Sequence, residues 1–207
     1  MEEKDYLKDI QDIKSMMAQS SRFISLSGLS GVLAGIYSLI GAWFAYRTIY
    51  FDTSTSGNYK NLIISEDAIY KLVFIAGAVL LLSLFTGVFL SQRKAIKQKE
   101  SIWNQTSKRL VINFSIPLAT GGVFILYLIE KDILGLVAPL TLIFYGLACV
   151  NASKYTIGDV RYLGLIQIVL GLLSLWFLGY GLLFWTLGFG VGHILYGSIM
   201  YFKYDRN

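Results

Sequence analysis

Six apolar stretches, each about as long as a helix that crosses a bilayer, constrain this 207-residue chain more than any other feature. They run at 23–46, 70–90, 110–129, 133–151, 157–178 and 183–202. A helix rises about 1.5 Å per residue, so about 20 apolar residues cover the hydrocarbon core. Backbone amides and carbonyls find no water there and must be satisfied within the element, which predicts helices rather than an open sheet. The expected fold class is therefore all-α: a polytopic transmembrane helical bundle of six spans over 21–207, behind an amphipathic helix at 1–20. Composition agrees, with 55% hydrophobic and 15% charged residues and a mean hydropathy of +0.59, outside the range of ordinary soluble domains.

The net charge of +5 does not point to nucleic acid. The basic residues lie between the apolar stretches, fourteen Lys and Arg on one side and four on the other. That asymmetry places both termini in the cytoplasm. The connection carrying Arg93, Lys94, Lys97, Lys99, Lys108 and Arg109 is the most basic; it reads as a topology determinant or as a contact for anionic headgroups. At the N-terminus, Leu7, Ile10, Ile13 and Met17 recur with helical period among five carboxylates and three lysines. The acidic excess argues against simple adsorption to anionic lipid. This helix is expected to pack on its own protein or on a second copy, or to dock a cytoplasmic protein partner through residues 1–20. It has no signal-peptide pattern.

Several local signals position the helices. Ser27, Gly28, Gly31, Gly35, Ser38 and Ala42 form a strip of small residues along the first span, suited to close helix packing. Ser65 before Glu66 and Asp67 predicts a helix start. Pro117 frees the carbonyl of Asn113, so a kink is expected there, and Pro139 marks a second hinge candidate. Thr156 and Asp159 have capping-box spacing ahead of the fifth span. A faint repeat is also present. Gly28-Leu29, Gly35 and Ser38-Leu39 match Gly164-Leu165, Gly171 and Ser174-Leu175 at identical spacing. Phe85-Thr-Gly87, Tyr145-Gly146 and Tyr196-Gly197 recur in the second, fourth and sixth spans, each followed by a basic residue. Three related hairpins would produce both patterns.

His193 is the only ionisable group in the middle of a span. Such a group is a functional candidate, because burial is costly unless it is neutral or paired. Two readings stand: a neutral imidazole bonded to another span, with Tyr145, Gln167, Ser83 or Thr86 as partners, or a ligand site including Gly192 and Tyr196. Glu66, Asp67, Glu130, Asp132 and Asp159 all fall at span ends, so a proton- or sodium-coupled transporter is disfavoured. One histidine and one cysteine, Cys149, supply no HExxH zinc site, bis-histidine haem or disulfide. No cofactor, metal or enzymatic activity is expected.

The runs LIFYGLACVNASKYT, YLGLIQIVLGL and GFGVGHILYGSIMYFKYDR, with FISLSGLSGVLAGIYSLIGAWFAY at the first span, resemble a family of uncharacterised six-span membrane proteins of Bacteroidota. The resemblance covers nearly the whole chain and implies a bacterial inner-membrane location and a helix count, but no activity. More distantly, the hairpin layout looks like the HdeD-type acid-stress membrane proteins. The leading expectation is a non-enzymatic scaffold or stress-response and regulatory component acting through protein or lipid contacts. The alternatives are a small uncoupled channel or transporter for a neutral or apolar solute, and a protein that binds lipid or quinone.

Overall fold

The computed structural model describes residues 26–51, 65–97 and 103–206. The amphipathic helix expected at 1–20 and most of the polar connection after the first span lie outside them. The described residues form helices and no β-strand. We label them α1 (Gly28–Tyr50), α2 (Glu66–Lys97), α3 (Gln105–Glu130), α4 (Val137–Ala152), α5 (Val160–Trp176) and α6 (Gly181–Asp205). A 3-10 turn, Leu134–Leu136, leads into α4, and α6 widens to π-helical geometry over Thr186–Gly192. Five helices are long and apolar enough to cross a membrane, α4 when taken together with its 3-10 turn as Leu134–Ala152, 19 residues. The sixth, α5, is apolar but has 17 residues. Large apolar side chains such as Phe74, Phe85 and Val123 point outward and are at least 70% exposed, as suits a protein whose solvent is hydrocarbon.

Helix ends follow local chemistry, with one correction. The Ser65 hydroxyl accepts from the Ala68 amide at 3.3 Å, and Lys94 and Lys97 complement the dipole in the last turn of α2. Helix α3 starts before residue 110 because Asn104 and Ser107 form a reciprocal capping box, with bonds of 2.8 and 2.9 Å. The cap expected at Thr156 is displaced: α5 begins at Val160, and Asp159 stands at the N-cap position without a side-chain capping bond. Lys203 and Tyr204 donate to the Asp159 carboxylate instead, at 2.7 and 3.1 Å.

Helix α3 runs continuously through Pro117. The freed Asn113 carbonyl accepts from the Asn151 side-chain amide of α4 at 2.8 Å. Pro139 stands in the first turn of α4, where an amide N–H would have no intrahelical partner. Both prolines therefore sit where no backbone hydrogen bond is left unanswered.

Two helix pairs, α1 with α6 and α5 with α4, pack through glycines in the same way. A Cβ added at Gly28 would stand 2.7 Å from the Gly197 carbonyl oxygen, and one at Gly164 would stand 2.6 Å from that of Gly146. Further along, Gly35 meets Ile194 and the Gly190 carbonyl, while Gly171 meets Ile143 and the Pro139 carbonyl. The matched residues on each side keep one constant sequence offset, so the two seams share a register as well as a composition. The buried interior, with Leu142, Cys149, Leu163, Gln167 and Met200, lies around these seams. By contrast, α2 packs mainly on α1, and α3 on α4. No substantial packing joins α2 to α3 among the described residues.

Candidate functional site

Because α2 and α3 stand apart, the space between them opens into a cleft of about 1950 Å³. The cleft runs inward to α1, α4 and α6. Its near walls carry Ser83 and Gly87 of α2 and Leu118 and Gly122 of α3; its back wall carries Tyr145 and Phe189. No charged side chain lines it among the described residues. A Cβ added at Gly77, Gly87 or Gly122 would meet nothing within 4 Å. These glycines border open space, whereas Gly146 and Gly197 are pressed against backbone.

At the back wall, side chains from three helices meet around His193, itself a lining residue. In α6 the wider turn of the π segment places Gly188 O within 3.2 Å of Nδ1 of His193, five residues on. The Gln167 side-chain amide of α5 donates to the same oxygen at 2.8 Å. From α4, the Tyr145 hydroxyl lies 2.7 Å from His193 Nε2. A carbonyl only accepts, so Nδ1 carries the proton, Nε2 is the acceptor and Tyr145 donates to it. Both ring nitrogens of a neutral imidazole are thereby used. A Cβ at Gly188 would run into the Gln167 amide oxygen and a Leu142 methyl, so a side chain there would displace both. Rings extend the wall: Phe189 stacks on His193 at 5.7 Å, Trp185 lies 5.0 Å from Phe189, and Phe114 meets Tyr145 edge-on at 6.0 Å.

The structure thus brings together His193, Tyr145 and Gln167. Gly192 borders the cluster, with room for a Cβ only 3.3 Å from the Leu187 carbonyl. Tyr196 lies outside it, on the cleft wall; its hydroxyl is buried and has no hydrogen-bond partner among the described residues. Thr86 bonds its own helix, to the carbonyls of Leu82 and Ser83, so α2 takes no part in holding the histidine. Sequence reasoning missed the Gly188 carbonyl. The available signal was the alternation Gly188-Phe-Gly190-Val-Gly192 just before the histidine, which lets backbones and an amide side chain approach.

A second polar junction closes one end of the bundle. Ser27 makes no capping bond for α1. Asp205, at the end of α6, supplies it, accepting from the Gly28 amide at 2.8 Å and the Ser27 hydroxyl at 3.3 Å. The Lys94 ammonium of α2 donates to Asp205 at 2.6 Å and to the Leu26 carbonyl at 3.0 Å. The pair is mostly shielded, with side chains 13% and 10% exposed. Three helices are tied at this end by one carboxylate.

Compared with family models, curated proteins and solved structures, the chain matches none.

Proposed function

We propose that this chain is a non-enzymatic integral membrane protein that holds an apolar or amphiphilic molecule of the bilayer in the cleft between α2 and α3. In this reading it has six spans, resides in the bacterial inner membrane with both termini cytoplasmic, and descends from three related hairpins. The single observation that carries the ligand reading is the cleft itself: uncharged, mostly apolar, and opening between two helices whose outer faces are also apolar. Its volume exceeds the roughly 300–1,000 Å³ of ordinary small-molecule pockets, which suits a chain-bearing amphiphile such as a lipid or quinone. The hairpin reading draws support from the shared register of the two glycine seams. A cycle of three such hairpins would have a third seam between α2 and α3, and the cleft lies there.

The scaffold reading depends on residues 1–20, outside the described residues, and is compatible with a ligand that regulates it. One observation favours the channel reading: the lining extends from Ser27 at one end of the bundle to Tyr180 at the other. The experiment that separates these readings is native mass spectrometry of the gently extracted chain and of Gly87→Phe. A holder of bilayer molecules keeps an adduct that Gly87→Phe loses. An unliganded wild-type chain that conducts a neutral solute in liposomes supports the channel instead.

A further inference from the structure

The two rims of the cleft carry opposite charge. At one end, α2 finishes with Arg93, Lys94 and Lys97, and α3 begins with Lys108 and Arg109. At the other, α2 starts with Glu66 and Asp67 and α3 ends at Glu130 with Asp132 just beyond, against Lys71 of α2 and Lys131, which pairs with Glu130 at 3.1 Å. Lys94 is committed to Asp205. Arg93, Lys97, Lys108 and Arg109 are exposed and have no carboxylate partner among the described residues, although Arg93 lies over the outward Phe89 ring at 4.5 Å, away from the lining. Lys108 also belongs to the cleft mouth: its ammonium lies 5.9 Å from the ring centre of Trp103, a lining residue. Beneath this rim the lining is polar, with Ser91, Gln92 and Ser107, before it becomes apolar.

An occupant matching this profile has long apolar chains, a hydrogen-bonding region below its head, and an anionic head. We propose that the cleft binds an anionic phospholipid, with its chains between α2 and α3 and its phosphate at the rim beside Lys108. The opposite rim holds four carboxylates against two lysines, an excess that disfavours the same head there, so the lipid has one orientation and enters from the leaflet on the basic side. Lipid is favoured over free phosphate because the basic groups border an apolar chamber rather than a polar pocket. Selectivity is carried by exposed side chains, each of which adds about fivefold in affinity for an anionic surface and is screened by salt.

This inference rests on the cleft being a ligand site, and the experiment keeps the two claims apart. The full chain is reconstituted in nanodiscs of equal phosphatidylglycerol and phosphatidylcholine, and retained lipids are measured by native mass spectrometry. Wild type is expected to retain phosphatidylglycerol at least fivefold over phosphatidylcholine. In Lys108→Glu the ratio is expected to fall to near one while total retained lipid holds. Gly87→Phe, or Gly122→Phe from the opposite wall, is expected to reduce both lipids together. A wild-type ratio near one, with retention still sensitive to Gly87→Phe, overturns the headgroup assignment and leaves the cleft reading standing. Retention insensitive to both glycine variants overturns both claims. Displacement of phosphatidylglycerol by inorganic phosphate at matched ionic strength overturns the lipid assignment in favour of a free anion.

Discussion

The seam between α1 and α6 and the space between α2 and α3 use the same kind of residue to opposite effect. Gly28, Gly35 and Gly197 bring two backbones together until a methyl group has no room. Gly77, Gly87 and Gly122 face emptiness. Small residues permit close approach but do not enforce it, because lipid gives no hydrophobic drive between helices. Other contacts decide whether the approach happens. At α1 and α6, Asp205 and Lys94 clamp one end, while Ile194 packs along the strip. Between α2 and α3 the basic rim places like charges on both helices, which opposes closure.

The two closed seams are themselves informative where they differ. Along their shared register, Gly31 of α1 corresponds to Gln167 of α5, and Leu142 of α4 corresponds to His193 of α6. Gln167 and His193 are two of the four partners in the buried cluster. The polar cluster therefore occupies positions where the two seams cease to be equivalent.

The largest expected effect comes from breaking a closed seam. Gly197→Leu would press a side chain into the Gly28 carbonyl and the backbone of Gly31, which cannot yield as a rotamer can. We expect a loss of about 3 kcal/mol or more, the upper end for overpacking, seen as loss of folded protein in thermal or detergent denaturation. Next is the clamp. Lys94→Met leaves Asp205 without its cation in a shielded position and should cost about 2–3 kcal/mol, below the 3–5 typical of full burial. A smaller effect is expected at the cluster. Tyr145→Phe leaves Nε2 of His193 without a donor, at about 1–2 kcal/mol. His193→Leu, which imitates the other seam, should also destabilise, and adding Tyr145→Phe to it should cost less than Tyr145→Phe costs alone. Additive losses would mean that the two side chains do not share a bond. The smallest stability effect belongs to the open side: Gly87→Leu should change stability by less than about 0.5 kcal/mol while reducing retained lipid. A large loss at Gly87 would show that α2 and α3 are packed together.

Much of this architecture is visible in the residues. Apolar run length announces the helices, Ser65 marks a start, and Pro117 points to a carbonyl at Asn113 in need of a partner. The histidine's burial demands partners, and Tyr145 and Gln167 were among the few polar groups at depth. The rest depends on distance in the chain. Nothing near Gly28 reveals that Asp205 caps it, and nothing near Asp159 reveals that Lys203 claims it. The π-helical widening that aims the Gly188 carbonyl at His193 has no simple periodic signature. Least legible is the cleft, because open and closed small-residue strips have the same composition.

The most direct test of the central claim is photo-crosslinking with a phospholipid carrying a diazirine on its acyl chain, reconstituted with the full chain and mapped by peptide mass spectrometry. If α2 and α3 enclose a bilayer amphiphile, label should reach the interior positions Phe114, Leu118 and Tyr145, and Gly87→Phe should remove that label while leaving label on the outward Phe74 and Val123. Label confined to outward positions in the wild-type chain would contradict the account.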